Sequence, residues 1–240
     1  MSAHHETAPL PVDAPEDVAR SVAIILDGNA RWARERDLSI ADGHRAGTKA
    51  LRRTVEAAIE LGVESLTVYA FSTENWNRPE PEVDALMEIF EETIERELPD
   101  LCKQGVRARF LGRRDRAPDE LQAKMAALEA ETTANTRLDL WIAFDYGGRA
   151  EIVDAVRHIV EDGLSVDDVD EAAITSRLKA PEPDLLIRTS GELRISNFLL
   201  WQLAYAELVF VETWWPDFGE DELRSALEEY ASRRRRFGGR

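Results

Sequence analysis

The chain has 240 residues, 44% hydrophobic and 32% charged, the make-up of a globular protein with a core of its own and too apolar for disorder. Thirty Lys and Arg against 47 Asp and Glu give a net charge of −17, which excludes a general nucleic-acid coat. Only four of those basic residues are Lys, and so acidic and Lys-poor a surface points to a halophilic source.

Residues 1–20 carry Pro9, Pro11 and Pro15 without the apolar run of a signal peptide, and read as a disordered tail before one domain over 21–240. Apolar β-type runs then alternate with helical spacing. Val22–Leu26 leads into a glycine turn and a helix start, and His44–Leu61 keeps a helical apolar period until Gly62. Leu66–Phe71 follows, then a polar loop closed by Pro79 and Pro81 and a helix over Val83–Leu98. Val106–Leu111, Leu138–Phe144, Asp184–Ile187 and Leu208–Val211 read as further strands, with helices over Asp119–Asn135, Ala150–Glu161 and Glu220–Arg234. This alternation predicts an α/β fold: a single domain with a central, mostly parallel sheet of about six strands flanked by helices, binding ligands at the strands' carboxyl ends. Phe198–Trp215, the most apolar stretch, contains Gln202, Glu207 and Glu212 and is too short and polar to span a bilayer. The expected location is the cytoplasm, free or peripheral to a membrane. The one cysteine, Cys102, excludes a disulfide framework and a cysteine-built zinc site, and reads as a buried, inert thiol.

Four polar stretches fall where such a sheet places a ligand. Asp27-Gly28-Asn29-Ala30-Arg31-Trp32 follows the first strand: Gly28 permits a tight turn, a helix start offers backbone N–H groups, and Arg31 adds a permanent cation. Asp27 has the wrong charge for a pure anion cradle and suggests a divalent metal between it and a phosphate; an ordinary helix cap is the alternative. Ser72-Thr73-Glu74-Asn75-Trp76-Asn77-Arg78 packs hydroxyls, an amide, an indole and a guanidinium into one loop, as ligand contacts or as a capped helix start. Arg188 to Asn197 holds two arginines and two serines beside a glycine turn, suited to a second diphosphate. Glu207 is the lone carboxylate in an apolar run, to be held by a metal or by an ion pair. Arg149, after Tyr146-Gly147-Gly148, is open between a structural and a phosphate-near role. Asp167-Asp168-Val169-Asp170-Glu171 reads as a solvated helix cap, and His158 as a surface helix residue. No P-loop, GxGxxG, GxSxG or HExxH occurs.

With these residues the chain resembles the cis-prenyltransferases, the undecaprenyl (polycis-polyprenyl) diphosphate synthase family. DGNARW, GHRAG, YAFSTENWNRP, YGGR, DLLIRTSGELRISNFLLWQLAYAEL, WPDF and RRFGG stand in the family's order from about Val22 to Gly239. The resemblance implies a homodimer with an apolar tunnel, Mg²⁺ dependence, and extension of an allylic diphosphate (farnesyl or geranylgeranyl) by isopentenyl diphosphate. The product would be a long polycis-polyprenyl diphosphate, a lipid-carrier precursor that partitions to the membrane. By the same resemblance Asp27 is the catalytic, metal-binding carboxylate, and Gly28, Asn29, Ala30 and Arg31 wrap the allylic diphosphate. Trp32, His44, Ser72, Thr73, Glu74, Trp76 and Arg78 match substrate-contact positions, and Asn75 the residue assigned to proton abstraction. A neutral amide is a poor base, so Asn75 is expected to orient the substrate while a diphosphate oxygen takes the proton. Arg188, Arg194, Ile195 and Ser196 match the isopentenyl diphosphate pocket, Glu207 a second metal carboxylate, and Arg236 and Gly238 a tail that reaches the partner subunit's site.

There are departures. Ile40 stands where many members carry an arginine, a contact that Arg34, Arg36 or Arg45 would have to replace. Ala30 replaces a glycine, a mild change if it keeps helical dihedrals. Trp141, Phe144 and Asp145 replace smaller or amide residues ahead of Tyr146; Trp141 and Phe144, an odd number apart on one strand, must face opposite sides of the sheet. The rival readings are a catalytically silent subunit of the same fold, disfavoured by Asp27, Asn75, Arg78 and Glu207, and a phosphatase with Asp27 as nucleophile, disfavoured by Asn29 where a second Asp is usual.

Overall fold

The computed structural model describes residues 19–233. Six strands, β1 (Ser21–Ile25), β2 (Ser65–Ser72), β3 (Val106–Leu111), β4 (Leu138–Tyr146), β5 (Leu185–Arg188) and β6 (Glu207–Phe210), form one sheet in the order β3-β4-β2-β1-β5-β6. Every ladder is parallel. The helices are α1 (Asn29–Glu35), α2 (Ile40–Glu60), α3 (Glu80–Gln104), α4 (Asp119–Thr132), α5 (Gly148–Glu161), α6 (Glu171–Thr175) and α7 (Glu220–Ser232).

The strands' apolar residues divide by alternation between two layers. Val22, Ile24, Val68, Ile142 and Phe144 face the core shared with α2 and α3. Ala23, Ile25, Tyr69 and Ala143 face the other side, against Phe198 and Leu199. Trp141 and Phe144 therefore lie on opposite faces, as their spacing predicts. One irregularity matters for the site: the β2–β4 register shifts between Tyr69 and Phe71, so Ala70 and Phe71 both pack toward the α2–α3 core.

The order in which strands are laid down reverses at the gap between β1 and β5. The chain leaves β1 toward β2 and β3 and returns from β4 to β5, which makes this the crevice that an open α/β sheet offers to a ligand. The free edge of β3 is covered by α4 and the residues after it. Thr132 and Glu129 accept hydrogen bonds from the N–H groups of Ala108 (3.1 Å) and Phe110 (2.8 Å), and Asn135 donates to the carbonyl of Val106 (2.8 Å).

α2 begins four residues ahead of the expected His44. A reciprocal cap starts it, with Ser39 Oγ accepting from Asp42 N–H (3.1 Å) and the Asp42 carboxylate accepting from Ser39 N–H (3.2 Å). Asp170 caps α6 through the N–H of Ala173 (2.8 Å), and His158 is exposed on α5, both as read from the sequence. Cys102 is half-buried rather than buried, because it lies in the last turn of α3 where the helix leaves the core. No helix among the described residues is long and apolar enough to cross a membrane.

Candidate active site

The end of β1 and the end of β5 meet at Asp27. Its backbone N–H donates to Thr189 Oγ1 (2.9 Å), and that hydroxyl donates back to the Asp27 carbonyl (2.7 Å). Its carboxylate is shared by two guanidinium groups: Arg188 Nη2 lies 2.9 Å from one oxygen, and Arg31 Nη2 lies 3.2 Å from the other. Burial pushes the Asp27 carboxyl up, but the Arg188 hydrogen bond and charge and the Arg31 charge outweigh it and hold it below the ordinary carboxylate value. Arg188 is only 4% exposed and donates to Ser196 Oγ at 2.8 Å, while its Nε has no partner.

The turn after Asp27 is held from behind. Gly28 has φ +110°, with the Trp214 side chain against it, so a β-carbon would meet both strain and the indole. Trp215 donates from its backbone to the Asp27 carbonyl (3.0 Å) and from its indole to the Gly47 carbonyl (2.9 Å). A β-carbon at Gly43 or Gly47 would collide with Asn29, which explains both glycines of the GHRAG motif as room for the turn to sit on α2. The Asn29 side chain is spent on this packing: its Nδ2 donates to the Leu26 carbonyl (3.3 Å). Ala30 lies in the first turn of α1, so the Gly-to-Ala departure keeps helical backbone.

Asp27, Gly28, Asn29, Ala30, Arg31, His44, Ser72, Asn75, Arg78, Arg188 and Arg194 line one cavity of about 420 Å³. Behind this polar mouth the middle of the wall is apolar, with Leu51 and Val55 of α2, Phe90 and Ile94 of α3, Ala70 and Phe71 of β2, and Leu140 and Ile142 of β4, while Arg52, Glu97, Asp100 and Gln104 line its far end. Phe144 stacks behind Phe71 at 5.4 Å between ring centres and meets Phe90 edge-on at 5.1 Å. His44 is half-buried, with its Nε2 buried and unpartnered; desolvation, and then the charge of Arg78, push its pKa down to about 4, so it is neutral near pH 7.

The Ser72–Arg78 loop is a single 3-10 turn over Thr73–Asn77. Asn75 Oδ1 accepts from the Ser72 N–H at 2.8 Å, so the amide oxygen is committed to the backbone. Arg78 is tied to Glu82 at 2.8 Å. Trp76 points into the core, edge-on to Phe71 at 5.1 Å and under the guanidinium of Arg116 at 4.9 Å. Arg116 is paired in turn with the buried carboxylate of Asp145.

Other expected site residues stand apart from the cavity. Trp32 donates its indole N–H to Asp217 (2.7 Å). Thr73 and Glu74 bond to each other at 3.0 Å, and Glu74 also accepts from Asn197 Nδ2 at 3.0 Å. Ile195 packs on the second apolar layer, and Ser196 acts through Arg188. Arg149 donates only its backbone N–H, to Asn197 Oδ1 (2.9 Å), and its side chain is exposed. Arg34, Arg36 and Arg45 do not reach the cavity; Arg36 lies on Trp32 at 4.4 Å and Arg45 pairs with Glu92 at 3.4 Å. Glu207 pairs with Arg233 at 2.8 Å at the amino end of β6. Its register through Leu185 puts it level with Val22, five residues or about 16 Å along the strand direction short of Asp27, so one chain does not bring it to Asp27. Arg236 and Gly238, like the tail residues 1–18, lie outside the described residues.

Residues that sequence reasoning did not assign also build the site. Thr189 fixes the Asp27 backbone, while Glu192 accepts from Arg31 (3.4 Å) and Arg194 (2.5 Å). Ser190, Ser196, Asn197 and Leu199 all have positive φ, which coils the β5–β6 connection tightly around Arg188. Only Asn197 advertises such a backbone in sequence, because Asn tolerates the left-handed region.

A family model described as "Putative undecaprenyl diphosphate synthase" matches residues 25–238. The chain is 50% identical to a ditrans,polycis-undecaprenyl-diphosphate synthase ((2E,6E)-farnesyl-diphosphate specific) of Xanthomonas oryzae pv. oryzae, over 95% of this chain and 91% of that one. It is 48% identical to the Escherichia coli protein of the same description, over 97% of this chain and 95% of that one. Among solved structures, lavandulyl diphosphate synthase from Lavandula x intermedia, in complex with dimethylallyl diphosphate, is similar with a TM-score of 0.90 and 39% identity, over 93% of this chain and 100% of that one. Motifs, fold and relatives agree, and the chain belongs to the undecaprenyl diphosphate synthase family of prenyltransferases.

Proposed function

We propose that this chain is a Mg²⁺-dependent cis-prenyltransferase that extends an allylic diphosphate, farnesyl or geranylgeranyl diphosphate, with successive isopentenyl diphosphate units. Its product is a long polycis-polyprenyl diphosphate, precursor of a lipid carrier for glycan assembly. The observation that carries this reading is one cavity with a cationic mouth and an apolar barrel. Arg31, Arg78, Arg188 and Arg194 at the mouth suit diphosphate oxygens, and Leu51, Val55, Phe90 and Ile142 behind them suit a hydrocarbon and nothing polar.

The donor set fits Mg²⁺. No group of three or more His, Cys, Asp or Glu stands ready for a metal among the described residues, and Asp27 is the carboxylate at the mouth. Mg²⁺ keeps several waters and takes one or two carboxylates plus substrate phosphates, so Asp27 beside two arginines suits an ion shared with a diphosphate. Bound there, the ion would offset charge on the leaving oxygens as the allylic C–O bond ionises.

The chain's own groups do the rest. Arg31 and the N–H groups of the Gly28–Arg31 turn hold the allylic diphosphate. Arg188 and Arg194, steadied by Ser196 and Glu192, hold the isopentenyl diphosphate with its double bond within roughly 3–3.5 Å of the allylic carbon. Asn75, its oxygen bonded to Ser72, keeps an NH₂ group to orient substrate, and a diphosphate oxygen takes the proton.

A homodimer is supported by Val153, Val156 and Val160, exposed at helical spacing on one face of α5, and by exposed Leu193 and Tyr205 in the β5–β6 connection. Glu207, remote from Asp27 within one chain, can serve a metal only through a second subunit, as can the expected tail contacts of Arg236 and Gly238. The product, a long apolar chain, partitions to the membrane while the protein stays peripheral to it.

The test is incorporation of labelled isopentenyl diphosphate into butanol-extractable product with farnesyl diphosphate and Mg²⁺. Phosphate release with isopentenyl diphosphate omitted would instead indicate a phosphatase, and silence in both assays a non-catalytic subunit.

A further inference from the structure

The seam between α2 and α3 is polar along its outer rim. Arg45 pairs with Glu92 (3.4 Å), Arg96 donates to Thr48 (3.0 Å), Arg52 reaches Asp100 (2.5 Å) and Glu97 (3.6 Å), and Gln104 donates to Glu56 (3.4 Å). Positions 45, 48, 52 and 56 follow a helical period, so these bridges form one line. Beneath them runs the cavity. Leu51, Val55, Ile94 and Leu101 line it, and so do Arg52, Glu97, Asp100 and Gln104 themselves. The cavity thus extends from the Asp27 mouth to the underside of the Arg52 cluster, two turns, or about 10 Å, beyond Arg45 along α2.

Three features make this stretch easy to part. Its closures lie on a wetted rim, with both partners of Arg45–Glu92 exposed and Arg52 solvent-facing over half-buried Glu97 and Asp100, and ion pairs open to water on one side hold weakly. Pro99 sits inside α3 beside Asp100, so the carbonyl of Glu95 has no N–H to receive and the helix is weakened where the cluster is anchored. The Thr93 hydroxyl on the cavity wall is buried without a partner, so the wall is not packed to completion. A cavity of about 420 Å³ is of the size that encloses a drug-sized ligand, well short of a long polyprenyl chain.

We infer that Arg52 with Glu97 and Asp100 forms a lateral gate between α2 and α3, through which the growing hydrocarbon leaves once it fills the cavity, and that the gate sets product length. The inference rests on the prenyl-elongation reading above. Arg52 and Asp100 touch no reacting atom; they determine where the tail goes.

The test locks the gate. In a Cys102→Ser background, Arg52→Cys and Asp100→Cys are joined by a short bis-maleimide, and products from farnesyl diphosphate and labelled isopentenyl diphosphate are sized before and after bridging. The first addition should proceed within about twofold of the unbridged rate, while the distribution collapses to chains several units shorter. Arg52→Glu, which faces Glu97 and Asp100 with a like charge, should lengthen the distribution, and adding Asp100→Arg should restore it. An unchanged distribution in the bridged enzyme overturns the gate. No incorporation by the wild-type enzyme overturns the elongation reading itself, and the gate with it.

Discussion

Arg188 donates to the carboxylate of Asp27 at 2.9 Å from a position only 4% exposed, joining the ends of β5 and β1. A buried guanidinium needs a carboxylate, and a metal-binding carboxylate must stay ionised. On the proposed reading the same pair serves both stability and chemistry.

Asp27→Ala should lower condensation by about 10³-fold or more at saturating Mg²⁺, the loss of several kcal/mol of charge stabilisation. It should also lower stability, by about 1–3 kcal/mol, because Arg188 loses its partner. Steady-state incorporation and denaturant melts read the two effects separately. Retention of more than a tenth of wild-type turnover would remove Asp27 from the chemistry. Chelation of Mg²⁺ by EDTA should stop wild-type turnover and leave the melt unchanged.

His44 gives a pH dependence with a definite sign. Its pKa is about 4 in the fold against 6.5 for an ordinary histidine, so the unfolded chain takes up the proton first as pH falls. The stability that His44 contributes is complete above pH 6.5 and is lost on descending to about pH 4, by on the order of 3 kcal/mol. The stability difference between wild type and His44→Gln should shrink across that window. A difference independent of pH would mean that the imidazole is not held neutral.

Asn75 separates orientation from proton transfer. Asn75→Ala removes the acceptor for the Ser72 N–H and should cost about 1 kcal/mol of stability, whereas Asn75→Asp keeps that acceptor. Both should lose turnover by about 10²-fold or more, with no new ionisation in the pH–rate profile of Asn75→Asp. Full activity in Asn75→Asp, with a carboxylate pKa in its profile, would make this position the base.

The strands were legible because each is a short apolar run bounded by turn residues, and the helices because their period survives within one segment. Three of the four polar stretches were legible as neighbours, since parallel topology brings the carboxyl ends of β1, β2 and β5 together; the fourth, Glu207, lies at the amino end of β6 and is not among them. What sequence does not carry is pairing across long separations. Asp145 looks like an unexplained departure until Arg116 is seen to link it to Trp76, 69 positions earlier in the chain. The two glycines of GHRAG have no visible reason in the sequence until Asn29 is found against them. Glu207 reads equally as metal ligand or ion-pair partner, and only the register of β6 and the position of Arg233 distinguish these within one chain.

The most direct test of the cavity as the place where a prenyl chain grows is mass spectrometry of the products of wild type and Ala70→Leu from the same allylic primer. Ala70 lines the cavity at the irregular step of β2, close behind Ser72 and Asn75, so a larger side chain there meets the tail early. Wild type should give long polyprenyl diphosphates and Ala70→Leu much shorter ones at a similar rate of first addition. Identical product distributions, or a wild-type enzyme that stops after one or two additions, would contradict the account.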